Sequence, residues 1–126
     1  IGGPGDRRDE DFIELGRLSA RIFDRIIIKE DDDLRGRPSG EASELISKGI
    51  SQENPDCRYE IILNETEAIN TGLDQAASGG LVVILPETVS RAISLIEARH
   101  PLPESGYLPI TADIQASLKP SVVNKV

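Results

Sequence analysis

"RIIIKEDDDLRGRPSGEASELI" (residues 25–46) changes its period once, and the change marks a strand handed on to a helix. Ile26, Ile27 and Ile28 form a continuous β-branched run, the pattern of a strand covered on both faces in a parallel sheet. The polar loop "EDDDLRGR" follows. Pro38 suits the first turn of a helix, where its missing N–H costs nothing, and Ala42, Leu45 and Ile46 make one face before Gly49 ends it. Upstream, Phe12, Leu15, Leu18 and Ile22 recur at three- and four-residue spacing with charges between them, predicting an amphipathic helix over roughly 9–23. Downstream, "SQENPD" is turn chemistry and "YEIIL" (59–63) reads as the next strand. Asn64, with Glu67 three residues on, is an N-cap for a helix carrying Ala68, Ile69, Leu73 and Ala76. "SGG" (78–80) stops that helix, and "LVVIL" (81–85) reads as a third buried strand. Val89, Ala92, Ile93 and Ile96 form the inner face of a last helix. Strict alternation of helix and strand with short links predicts an α/β fold with a parallel sheet and right-handed crossovers. The alternation ends near His100, so residues 1–100 are read as one α/β domain and 101–126, with "PLPESGYLP" at their head, as an extension or tail.

The chain has 126 residues, of which 38% are hydrophobic and 29% charged, the balance of one soluble globular domain. Its longest apolar runs are far too short to cross a bilayer, which argues against a membrane role. Lys and Arg number 14 against 22 Asp and Glu, a net charge of -8, which repels a phosphate backbone and excludes nucleic acid as the expected partner. One cysteine, Cys57, forms no internal disulfide, and with the lone His100 it builds no metal cluster, so no metal site is expected. Cysteine usage and the lack of a basic-then-apolar leader point to the cytoplasm. Ile1, not Met, opens the chain, and "IGG" reads as a strand end running into a loop, the mark of a C-terminal piece of a longer protein.

Ligands of parallel α/β sheets gather at the carboxyl ends of the strands. "GPGDRRDED" (3–11) lies where a strand end meets a helix start. Glycines there let backbone approach a ligand, and the helix N-terminus favours anions. Arg7 and Arg8 could hold a carboxylate or phosphate with paired donors, and Asp6, Asp9, Glu10 and Asp11 could accept a cation or support the arginines. The plainer reading is that the acids complement the helix dipole and the arginines are solvated. A second candidate is the loop 30–41. Its consecutive aspartates Asp31, Asp32 and Asp33 need a cation, whether a ligand's guanidinium, an ammonium, a metal ion, or the loop's own Arg35 and Arg37. Glu87, after the third predicted strand, could face the same cleft. Cys57 has no neighbouring histidine and is a poor candidate nucleophile. Neither a Walker-type phosphate loop nor a dinucleotide fingerprint is present, so this chain by itself is expected to bind no nucleotide.

"GDRRDEDFIELG", "FDRIIIKEDDDLRGRPSGEASELI", "NETEAI" and "LVVILPETVSRAISLIE", in that order, resemble the C-terminal Mur-ligase-like domain of the cyanophycin synthetases over roughly residues 2–98. The resemblance implies a Rossmann-like, mostly parallel sheet flanked by helices, here without its first strand and helix. It implies an enzyme that polymerises aspartate and arginine using ATP. The Mur-like half attaches arginine to the side-chain carboxylate of poly-aspartate, through an acyl phosphate that an amine then attacks. ATP and Mg2+ are implied for the parent ligase only, since this chain lacks the central ATPase region, and the piece alone is expected to be inactive. The implied partners are the remaining domains of the ligase, the aspartate–arginine polymer and further copies in a homo-oligomer. The stretch from Asp6 to Asp11 matches the position where related Mur ligases place substrate-contacting Arg and Asp residues; with Asp31, Arg35 and Arg37 of the second loop, the expected substrate-binding positions are Asp6, Arg7, Arg8, Asp9, Asp11, Asp31, Arg35 and Arg37, a wall of both signs suited to an acyl phosphate meeting a cationic amino acid. Other readings are a fragment of a different Mur-type ligase, or a non-catalytic α/β module for ligand binding or oligomerisation.

Overall fold

The three isoleucines of the run sort to two faces. In a computed structural model, which describes residues 1–99, Ile26 and Ile28 are 3% and 0% exposed within one hydrophobic core, while Ile27 points the other way toward Gly72. The elements, in chain order, are α1 (Asp9–Ile22), β1 (Arg25–Ile28), α2 (Glu41–Glu53), β2 (Arg58–Ile61), α3 (Glu65–Asp74) and α4 (Val89–Arg99). Arg25 of β1 lies opposite Arg58 of β2 and Ile28 opposite Ile61 in a parallel pair, with α2 as the crossover. Phe12 and Ala20 of α1 and Ala42, Ile46 and Ile50 of α2 cover one face of β1. A small α/β fold with a two-stranded parallel sheet results.

The two covering helices touch backbone to backbone. A Cβ on Gly16 would stand 2.1 Å from the Ile46 carbonyl oxygen, and one on Gly49 would stand 2.0 Å from that of Ile13. Gly49 therefore does not end α2 as its sequence position predicts; it lets α1 in, and the helix runs on to Glu53. The start of α2 also falls later than Pro38, after Gly40 in the left-handed region at φ 90°. Arg17 donates to Gln52 at 2.7 Å and Arg21 makes a two-pronged ion pair with Glu53 at 2.7 and 2.9 Å along the same seam. Asn64 caps α3 as expected, its side chain accepting the Glu67 N–H at 3.0 Å, but α3 stops at Asp74 and leaves Ala76 outside.

"LVVIL" is not a third strand. Residues 81–85 pair with no strand among the described residues, and Leu81 is 87% exposed. β propensity needs a partner along the strand edge, and none of the described backbone supplies one. Ile1 occupies the opposite edge of β1 from β2. Its α-amino group donates to the Ile27 carbonyl at 2.7 Å and its carbonyl accepts the Lys29 N–H at 2.8 Å, the two bonds of one parallel rung. Ala92 is the buried residue of α4, whereas Val89 and Ile93, expected on its inner face, are exposed. No described helix is long and apolar enough to cross a membrane. His100 and the predicted tail 101–126 lie outside the described residues.

Candidate functional site

Because Ile1 lies beside the end of β1, the loop that follows it and the loop that follows β1 emerge side by side. Gly5 is pressed so closely to the Leu34 carbonyl that a Cβ would stand 1.9 Å from its oxygen. Arg37 binds the two loops together: Nε donates to the Gly5 carbonyl at 2.9 Å, one terminal nitrogen donates to the Arg7 carbonyl at 2.8 Å, and the guanidinium pairs with Asp9 at 2.9 Å and Glu41 at 2.8 Å. It also lies 5.1 Å over the Phe12 ring, a cation–π contact. Arg35 pairs with Asp6 at 2.9 Å, and Arg8 with Asp11 at 2.8 Å. The Arg35 guanidinium holds the Asp6 carboxyl below its usual range, and Arg8 does the same for Asp11. The eight positions singled out from sequence thus fall in two touching loops and the first turn of α1, with their charges largely spent on one another. Arg7, exposed, makes no ion pair among the described residues.

The three aspartates are separated by giving each a different partner. Asp31 pairs with Lys29 at 2.7 Å, Asp32 with Arg91 at 2.6 Å, and Asp33 accepts the backbone N–H of Arg35 at 2.9 Å, where Arg35 has φ 49°. Lys29, 5% exposed, also reaches Glu65 at 2.8 Å, and Glu65, 1% exposed, accepts the Glu87 N–H at 2.6 Å and pairs with Arg91 at 3.2 Å. Glu87 returns its own carboxylate to the Asp32 N–H at 2.7 Å. Burial pushes the Lys29 ammonium down, but the hydrogen bonds it donates to Asp31 and Glu65 outweigh that and raise the pKa. Burial pushes Glu65 up, and the Lys29 ammonium and the Glu87 amide together bring it below the usual carboxylate range. Glu30, also buried, accepts from the Ser39 hydroxyl at 2.9 Å and the Gly40 N–H at 2.6 Å, closing its loop at the base. Lys29, Glu30, Glu65 and Arg91 were not singled out from sequence. The available signal was Lys29 itself, because an ammonium next to a fully covered strand has to find an acid.

No protein-family model matches the chain. A curated protein of Nostoc sp. strain PCC 7120, a cyanophycin synthetase, is 72% identical over 99 residues, 79% of this chain. The chain is similar to cyanophycin synthetases. That of Synechocystis sp. strain PCC 6803 is 63% identical over 102 residues, 81% of this chain, and that of Geminocystis herdmanii 60% over 100 residues, 79% of this chain. The chain spans about 11% of the length of the Nostoc protein, 12% of the Synechocystis one and 11% of the Geminocystis one.

For the stretch shared with cyanophycin synthetases, the geometry gives a rim at the carboxyl end of the sheet, built from two adjoining loops and the first turn of α1. Its arginines mostly position backbone, as Arg37 does, or cancel a neighbouring acid. Arg7 alone of the eight leaves its cation turned to solvent without an ion-pair partner among the described residues. No group of three or more His, Cys, Asp or Glu among those residues is arranged to hold a metal ion.

Proposed function

We propose that the chain is part of a cyanophycin synthetase and contributes to the half of that ligase that joins arginine to the side-chain carboxylate of poly-aspartate. Identity of 60–72% to proteins of that name carries the reading. In this reading the domain is of the Mur-ligase C-terminal type, and it acts together with the remaining domains of the ligase in a cytoplasmic homo-oligomer. In this reading ATP and Mg2+ are held by other regions of the ligase, and the chain completes no step of the reaction alone. What the chain supplies is a preorganised rim. Arg37, Asp9 and Glu41 fix the backbone of residues 5–8, and Arg7 is left to face negative charge at an acyl phosphate as the amine attacks. The acids of the rim are already paired, so recognition of the incoming arginine by Asp6, Asp9, Asp11 or Asp31 requires an exchange of partners.

The test is an Arg7→Ala substitution in the full-length ligase, followed through arginine-dependent ATP hydrolysis and polymer elongation with a primer. A fall of roughly 100- to 1,000-fold is expected, as for loss of one electrostatic donor, with aspartate addition unchanged. Arg8→Ala is expected to do less, because that guanidinium is held by Asp11. Unchanged arginine-dependent turnover in Arg7→Ala would reduce residues 3–11 to a structural surface.

A further inference from the structure

The loop 31–35 is gripped from two sides. On one, the Leu34 carbonyl lies against Gly5 and Arg35 pairs with Asp6 at 2.9 Å. On the other, the link into α4 and the first turn of that helix hold Asp32 twice. Glu87 accepts the Asp32 N–H at 2.7 Å, and one terminal nitrogen of Arg91 donates to the Asp32 carboxylate at 2.6 Å. Arg91 is itself fixed from behind, where its other terminal nitrogen donates to Glu65 at 3.2 Å. Glu65 is buried and anchored in turn by Lys29 at 2.8 Å and by the N–H groups of Glu87 and Thr88 at 2.6 and 3.4 Å. The planar fork of an arginine suits this place, because it presents two nitrogens to two carboxylates in one orientation. The Asp32 side chain is 61% exposed, and an ion pair so open to solvent adds little to stability. What the pair fixes is the place of the loop.

We infer that Arg91, backed by Glu65, is a positioning residue: through Asp32 it sets how far the 31–35 loop stands from the loop carrying Asp6 and Arg7, and so how the rim fits an incoming arginine. The inference rests on the reading that this rim meets substrate in the ligase. A shift at Asp32 is passed on within three residues. Asp33 accepts the Arg35 N–H at 2.9 Å in a turn where Arg35 has φ 49°, so the segment carries the Arg35 guanidinium with it. That guanidinium meets Asp6, the neighbour of Arg7. Arg91 acts through Asp32 and not on the substrate, because its two terminal nitrogens are spent on Glu65 and Asp32. Glu65, being buried, acts only through the groups that surround it.

Steady-state kinetics of the full-length ligase tests it, with Arg91→Gln, Asp32→Asn and the double variant. Glu65 keeps Lys29 and two backbone amides in all three, so its buried charge is not stranded. Arg91→Gln is expected to lower kcat/KM for arginine roughly 10-fold, inside the ~100-fold that a misplacement of about 1 Å can cost. The loss is expected in KM for arginine, with kcat and aspartate addition little changed. Asp32→Asn is expected to do the same, and the double variant to lose no more than either single one, since both break one link. A lower kcat at unchanged KM is what a smaller folded fraction gives, and it would overturn the inference. Losses that add in the double variant would do so too, as would a loss in Asp32→Asn without one in Arg91→Gln. Unchanged arginine kinetics in Arg91→Gln and Asp32→Asn beside an impaired Arg7→Ala would overturn this inference and leave the reading of the rim standing. Unchanged kinetics in Arg7→Ala as well would overturn both.

Discussion

Arg37 shows how little of a charged residue's role lies in its charge. Its side chain is 13% exposed and holds two backbone carbonyls of the loop after Ile1 and two carboxylates at the starts of α1 and α2. Removing it strands Gly5 and Arg7 carbonyls at a close contact, so Arg37→Ala is expected to destabilise the chain by about 2–4 kcal/mol, read by urea unfolding. Arg37→Lys is expected to recover less than half of that, because an ammonium cannot reproduce the planar fork. The sequence names Arg37 as a candidate and offers Asp31–Asp33 as its acids. The structure gives it Asp9 and Glu41 instead, and gives the aspartates to Lys29, Arg91 and a backbone amide. Which cation meets which acid depends on contacts up to 59 residues apart, as in Arg91 with Asp32, and no spacing rule reaches that far.

At the level of elements, the glycines separate two kinds of constraint. Gly16→Ala puts a methyl group into the Ile46 carbonyl across a seam of two helices that cannot part without opening the core, so a loss of about 1–3 kcal/mol or more is expected. Gly36→Ala meets nothing within 4 Å but must hold φ 85°, and a loss of only about 1 kcal/mol is expected. Thermal unfolding of the two variants side by side checks the order. Periodicity made α1, β1 and α3 legible to within a few residues, because each buries a face whose spacing shows in the chain, whereas β2 was legible from its apolar composition although none of its residues is buried. It failed at residues 81–85 because composition reports what a segment would do beside a partner and is silent on whether the partner is there. Gly49 was misread as a stop for a related reason: a glycine that ends a helix and one that admits a neighbouring helix look alike in one dimension.

For the whole molecule, the Lys29–Glu65 network joins the end of β1 to the starts of α3 and α4, and its charge state sets how tightly they hold. Glu65 has a lowered pKa in the folded chain, so its contribution is fully present above the unfolded carboxylate value near ~4.3 and is lost as pH falls through the lower folded value. Melting temperature is therefore expected to drop as pH is taken from about 5 toward 3. Glu65→Gln is expected to lower stability at pH 7 and to flatten that drop, which scanning calorimetry across the same range measures. The contacts that define the other half of the fold share a different property. Arg17 with Gln52, Arg21 with Glu53, Asp6 with Arg35 and Gly5 with Arg37 all join residues 29 to 35 apart, and the pairing of Arg25 with Arg58 falls in the same interval. A single closure of the chain at that span brings every one of them into reach, so the entropy of ring formation is lost once for the set rather than contact by contact. Residues 1–61 should accordingly gain their order in one kinetic step, with the α3–α4 segment joining afterwards.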